Sequence, residues 1–162
     1  MNGSQRVIDG LQMLLNYELA ARDQYFIHSR IYKDMGMEAV YERLNHEMEE
    51  ETEHADQMIE RMLFLEATPD LNKRADVNVG SGVVEMLQND LEVEYDTIKN
   101  LKSVVAICEE ERDYDTRAIL VKQLDDSEMD HAYWLEKQLR LIEKIGLPNW
   151  IQSQMHSGSE SS

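Results

Sequence analysis

The chain has 162 residues, 42% hydrophobic and 30% charged, enough apolar content to bury one core and too much to stay disordered. Seven Gly and two Pro are too few turn formers for a many-stranded β protein. Sixteen Lys and Arg against 33 Asp and Glu give a net charge of −17, which attracts cations and argues against nucleic-acid and anionic-membrane partners. Cys108, the one cysteine, excludes an internal disulfide framework and reads as a small core residue in a reducing compartment. The start from Met1 to Arg6 leads straight into amphipathic sequence, and no stretch reaches transmembrane length, so the expectation is a soluble cytoplasmic protein.

Ser4 is placed to cap a first helix that runs to about Asp34, where Met35, Gly36 and Met37 interrupt it. A second helical pattern runs from about Glu38 to Leu65. An irregular stretch from Glu66 to Gly82 follows, containing Pro69, Asp70, Asn72, Asn78 and Gly80. A third helix is predicted to about Glu111, and a fourth from about Asp115 to Ile145, stopped by Gly146 and Pro148. Residues Asn149 to His156 fit one short last helix. The domain is read as 1–156, with 157–162 as a disordered tail.

Loop length dictates the topology. The breaks at Gly36 and near Asp113 are short enough to make each flanking helix pair antiparallel. A helix of about 28 residues is roughly 42 Å long, and the stretch from Glu66 to Gly82 spans roughly 56 Å when extended. It therefore suits a crossover along the bundle, and the second and third helices run parallel. The expected fold class is all-α: a four-helix bundle with one long crossover and a short C-terminal fifth helix.

Each helix carries an apolar seam broken by residues that do not belong in a core. The third gives Leu87, Leu91, Glu94, Ile98, Leu101, Val105 and Cys108 at alternating steps of four and three. The first gives Leu11, Leu14, Glu18, Ala21, Tyr25, His28 and Tyr32; the second, Val40, Leu44, Glu47, Glu51, His54, Met58 and Met62; the fourth, Val121, Leu124, Glu128, His131, Leu135 and Ile142. Glu18, Glu51, Glu94 and Glu128 each lie within about two residues of their helix midpoint, so they meet at one height whichever way the helices run. His54 and His131 each follow a glutamate by three residues and share its face in an α-helix. A solvated acidic face does not explain acids in four apolar seams. Buried carboxylates must be paired, protonated or bound to metal. One Glu from each of two helices and Glu-x-x-His from the other two is a set that holds two metal ions, and one imidazole per metal favours Fe or Mn over Zn. Glu51 and Glu128 are expected to bridge, Glu18 and Glu94 to be terminal, and His54 and His131 each to bind one metal.

At these residues the chain resembles the bacterioferritins over essentially its whole length. The resemblance rests on Asn16-Tyr17-Glu18-Leu19, Gln24-Tyr25-Phe26, the ETEHAD segment from Glu51 to Asp56, and Ile59-Glu60-Arg61. It continues through Phe64-Leu65-Glu66, Asn78-Val79-Gly80, the DLEVE segment from Asp90 to Glu94, and Gly146-Leu147-Pro148-Asn149. The resemblance implies a ferritin-like bundle in a hollow shell of 24 subunits built from dimers. It implies iron storage and detoxification: Fe(II) is oxidised by dioxygen or hydrogen peroxide at an intrasubunit diiron ferroxidase centre of Glu18, Glu51, His54, Glu94, Glu128 and His131. Tyr25 is implied as an electron donor beside the centre, and His46 with Glu50 as an inner-surface iron site. Family members bind haem b through a Met at the position of Thr52, so a homo-oligomer of this chain is expected to bind little or no haem; Met48, one turn earlier, reads as core or surface packing before it reads as a substitute ligand. Co-assembly with a Met-bearing subunit and a reducing ferredoxin are implied partners. His28 reads as a hydrogen-bonded core or interface histidine, and Glu47 as facing the cavity or a pore. Asp34 and Glu66 sit at helix ends, where acids line an iron inlet or are simply solvated. The alternative is a soluble diiron oxidase or peroxidase that uses the same ligands without a cage.

Overall fold

The computed structural model describes residues 1–156, so the expected 157–162 tail lies outside the described residues. The fold is an all-α four-helix bundle with a short C-terminal helix: α1 (Gln5–Asp34), α2 (Glu38–Phe64), α3 (Val83–Glu110), α4 (Tyr114–Asp125), α5 (Tyr133–Ile145) and α6 (Leu147–Ser153). Between α4 and α5 lies a π-helical segment, Asp126–Ala132. The predicted fourth helix therefore exists but is not one α-helix.

The ends behave as their chemistry demands. Gly36 takes φ +83° in the turn between α1 and α2, a conformation that a side chain would strain. Asp113 caps α4, accepting from the Thr116 amide at 3.0 Å, while Arg61 of α2 reaches both Asp113 (3.1 Å) and Thr116 Oγ1 (2.8 Å). Ser4 holds the N-cap position of α1 in an extended conformation without a side-chain cap bond. The last helix starts earlier than expected, with Pro148 in its first turn, where a missing N–H costs nothing. Its Trp150 is fully buried, with the indole N–H on Gln138 at 3.0 Å.

Contacts between ends give the topology. The Met1 amino group donates to the Phe64 carbonyl at 2.8 Å, so α1 begins where α2 finishes. Tyr32 donates to the Val83 carbonyl at 3.0 Å, so α1 finishes where α3 begins. Helices α2 and α3 thus start at the same end and run parallel, as the long crossover requires.

That crossover is laced onto α1 in chain order. Asp70 exchanges two bonds with Gln12 (2.8 and 2.9 Å), Ala75 N–H reaches the Asn16 carbonyl (3.3 Å), Asn78 N–H reaches Gln24 Oε1 (3.0 Å) and Gly80 N–H reaches His28 Nε2 (3.1 Å). Since Gly80 donates to Nε2, the ring hydrogen sits on Nδ1 and goes to Asp90 Oδ1 at 2.8 Å, which also accepts from Gln24 at 2.8 Å. His28 is thus the hydrogen-bonded core histidine expected. A Cβ at Gly80 would lie 2.5 Å from the Met86 amide nitrogen, so no other residue fits.

Two apolar clusters fill the bundle's ends. One contains Val7, Leu11, Leu15, Met58, Met62, Leu101, Val104, Cys108 and Leu120; the other contains Tyr25, Tyr32, Val40, Leu44, Met86, Leu87, Leu135 and Trp150. Glu18, Glu51, His54, Glu94 and His131 occupy the layer between them. His28→Ala would leave Asp90 buried without its strongest partner and free the Gly80 amide. The expected cost is about 1–3 kcal/mol, seen as a lowered thermal midpoint with faster proteolytic cleavage within residues 66–82.

Candidate metal centre

Five of the six predicted ligands converge: Glu18 from α1, Glu51 and His54 from α2, Glu94 from α3 and His131 from the π segment, all buried. His54 Nδ1 lies 3.0 Å from Glu18 Oε1 and 3.7 Å from Glu51 Oε2. His131 Nδ1 lies 3.0 Å from Glu51 Oε1 and 3.2 Å from Glu94 Oε1. Glu51 therefore presents one oxygen to each imidazole, as a bridging carboxylate must. The two rings face each other with centroids 6.4 Å apart. Two overlapping triads, Glu18–Glu51–His54 and Glu51–Glu94–His131, each gather their donor atoms within 4.8 Å.

Glu128, the sixth expected ligand, lies apart in this structure. Its side chain is 49% exposed and lies 3.8 Å from Lys102, away from the other five. The Glu-x-x-His expectation holds for α-helical turns. Hydrogen bonds from i to i+5 widen the turn through 126–132, so residues three apart no longer share a face. Ser127 is buried instead. Asp126, where the π segment begins, meets His54 Nε2 at 2.9 Å, a contact that no periodicity in the sequence signals.

Other positions sort similarly. Tyr25, 1% exposed, donates to Glu94 Oε1 at 2.5 Å, beside the centre as expected. His46 is exposed, with Nε2 2.7 Å from Glu50 Oε1, and the other oxygen of Glu50 reaches His131 Nε2 at 2.5 Å. Glu50 thus touches both the surface histidine and the buried one. Glu47, expected at a cavity or pore, is buried and contacts His131 Nε2 while accepting from Arg43 at 2.5 Å. Its place in the α2 seam was the available signal. Thr52 is exposed and donates to the Met48 carbonyl at 2.9 Å; Met48 packs on the Trp150 cluster.

The layer is short of donors. Glu47 Oε2, Glu51 Oε1 and Glu94 Oε2 are buried without a hydrogen bond of acceptable geometry. Such oxygens are rare, and a bound cation is one group that would satisfy them. Residues 8–145 match the Ferritin family, a ferritin-like domain. A bacterial ferritin from Synechocystis sp. is 59% identical over 155 residues, covering 96% of this chain and 99% of its own. One from Neisseria meningitidis is 54% identical over 155 residues, covering 96% and 100%. A bacterioferritin from Brucella melitensis is 36% identical over 146 residues, covering 90% of each. The chain belongs to the ferritin family. In this ferritin the buried layer is a candidate metal site, rich in carboxylate with one imidazole per triad.

Without metal, protons take the place of cations. Burial alone would lower His54, but the hydrogen bond to Glu18 and the neighbouring Glu51 carboxylate outweigh it and raise the ring to about 11. His131 is likewise raised against its burial, by Glu47, Glu50, Glu51 and Glu94. Burial lifts Glu18, and the charge of Glu51 adds to the effect; burial also lifts Glu94. Glu51 is held low despite its burial because Glu18 and both imidazoles lie against its carboxylate. Coordination requires bare imidazole nitrogens and ionised carboxylates, so metal must displace these protons. Loading is therefore favoured as pH rises and weakened as it falls. Anaerobic Fe(II) added to weakly buffered metal-free protein is expected to release at least about two protons per subunit, read with an indicator dye.

Proposed function

We propose that the protein stores and detoxifies iron: Fe(II) is its substrate, oxidised by dioxygen or hydrogen peroxide at the buried centre and kept as ferric mineral inside a 24-subunit shell assembled from dimers. The observation that carries this reading is Glu51, with one oxygen toward each buried imidazole and further donor-starved carboxylates around it. A pair of irons held there supplies one-electron redox chemistry. Glu51 would span the two positions, Glu18 and Glu94 would close them from α1 and α3, His54 and His131 would each offer Nδ1, and Glu128, turned outward here, is the sixth ligand of the proposed set. Tyr25, hydrogen-bonded to Glu94, is placed to supply an electron. His46 and Glu50 form a surface iron site that adjoins the centre. Among the described residues no helix is long and apolar enough to cross a membrane, and a cytoplasmic location is part of the proposal.

Assembly has apolar surface to draw on. Phe26, Ile27, Leu63, Phe64, Tyr114 and Tyr133 are exposed on a chain of net charge −17, and burying them between subunits removes that apolar area from water. The deciding experiment adds Fe(II) under air to size-fractionated protein. A shell-sized particle with rapid oxidation is expected, and Glu94→Ala should slow that fast phase by at least about 100-fold. A dimer-sized particle would favour an uncaged oxidase, and unchanged fast oxidation in Glu94→Ala would overturn the centre.

Haem does not fit these residues. Bis-Met ligation needs a thioether on each of two related helices, and Thr52 presents a short hydroxyl already committed to the Met48 carbonyl. We propose that the homo-oligomer binds little haem, and that haem and a docking ferredoxin enter only through co-assembly with a Met-bearing subunit. Thr52→Met is expected to bring haem absorbance to the purified homo-oligomer on reconstitution, with ferroxidase rate unchanged.

A further inference from the structure

We infer that Asp126 is the positioning residue of His54: its carboxylate takes the Nε2 hydrogen, aims the Nδ1 lone pair into the centre, and serves one metal position only. The inference rests on the diiron reading above and concerns a residue that lies outside its ligand set.

A neutral imidazole coordinates through the nitrogen that carries no hydrogen, and whatever holds the other nitrogen sets both tautomer and ring plane. On its inner edge His54 presents Nδ1 to Glu18 Oε1 at 3.0 Å and Glu51 Oε2 at 3.7 Å. On its outer edge Nε2 meets Asp126 Oδ2 at 2.9 Å. A carboxylate can only accept, so when a metal takes the place of the Nδ1 hydrogen the remaining ring hydrogen belongs on Nε2, toward Asp126.

Asp126 is held in register by α4 itself. Gln123, 1% exposed, donates to the backbone carbonyl of His54 at 3.2 Å and to Gln57 Oε1 at 2.9 Å. Helix α4 is thereby tied to α2 at the residue whose ring Asp126 contacts. The π segment begins at Asp126, so the same change of helical phase that sends Glu128 outward leaves Asp126 on the His54 side.

The second imidazole is supported differently. His131 Nε2 faces two carboxylates, Glu47 and Glu50, which are themselves braced by Arg43 and His46. Removal of either leaves the other in place. Among the described residues, Asp126 is the one carboxylate that contacts His54 Nε2. Losing Asp126 should therefore be felt at the His54 position and not at the His131 position.

The test titrates metal-free, full-length assembled protein with Co(II) under nitrogen, following the visible absorption of each bound ion. His54→Ala and His131→Ala provide the reference spectrum of each remaining position. Wild type is expected to bind a pair of ions. Asp126→Ala should weaken the His54 position by about 10–100-fold and alter its band, leaving the His131 position unchanged. Asp126→Asn, which keeps an acceptor, should recover part of the loss. Glu53→Gln, which removes an exposed negative charge from the same cleft, should change neither position. Unchanged Co(II) affinity in Asp126→Ala, or an equal loss at both positions, would overturn the inference while leaving the centre standing. A wild-type protein that binds no pair of ions would overturn the diiron reading and this inference together.

Discussion

The carboxylate of Glu51, shared between the Nδ1 atoms of His54 and His131, sets the terms for the rest of the bundle. It lies on α2 yet touches a ring delivered by the π segment, and Glu18 of α1 and Glu94 of α3 close around the same two rings. Four stretches of chain must therefore arrive at one height with one azimuth each. A shift of a single residue in any of them would turn its ligand away, as the position of Glu128 demonstrates.

Keeping several carboxylates out of water costs several kcal/mol each unless cations or protons compensate. The apolar clusters on either side offset that cost. Fully buried Leu11, Leu15, Leu44, Leu87 and Leu101 each contribute about 1.5–3 kcal/mol, and they hold the helices together at both ends, so the middle layer cannot relax by splaying. The polar layer is tolerated because its neighbours above and below are well packed, and its raised and lowered proton affinities follow from that confinement. The same confinement makes the layer selective: cations that replace protons gain interactions that an open acidic surface would screen.

The crossover has a structural task distinct from the centre. Its backbone is satisfied rung by rung by Gln12, Asn16, Gln24 and His28 of α1, and the last rung continues inward to Asp90 of α3. Helices α1 and α3 are thus joined through side chains near one end. That fixes their relative height, and with it the meeting of Glu18 and Glu94 around the imidazoles.

Much of this was legible in the residues themselves. Helical periodicity placed four seams, and the length of the Glu66–Gly82 stretch implied parallel α2 and α3. Acids at mid-height in apolar seams marked Glu18, Glu51, His54, Glu94 and His131, because burial of an unpaired carboxylate is too expensive to be accidental. The outward turn of Glu128 and the approach of Asp126 to His54 were not legible. Residues 126–132 contain no Pro or Gly, so local propensity offers no sign of a π segment there. Whether one extra residue is absorbed into a helical turn depends on how α4 and α5 seat against α2 and α3, a balance of packing between elements far apart in the chain. Periodicity within a helix therefore determined which residues face inward, while the phase of the last helix, and so the final partner of each imidazole, was decided by tertiary packing.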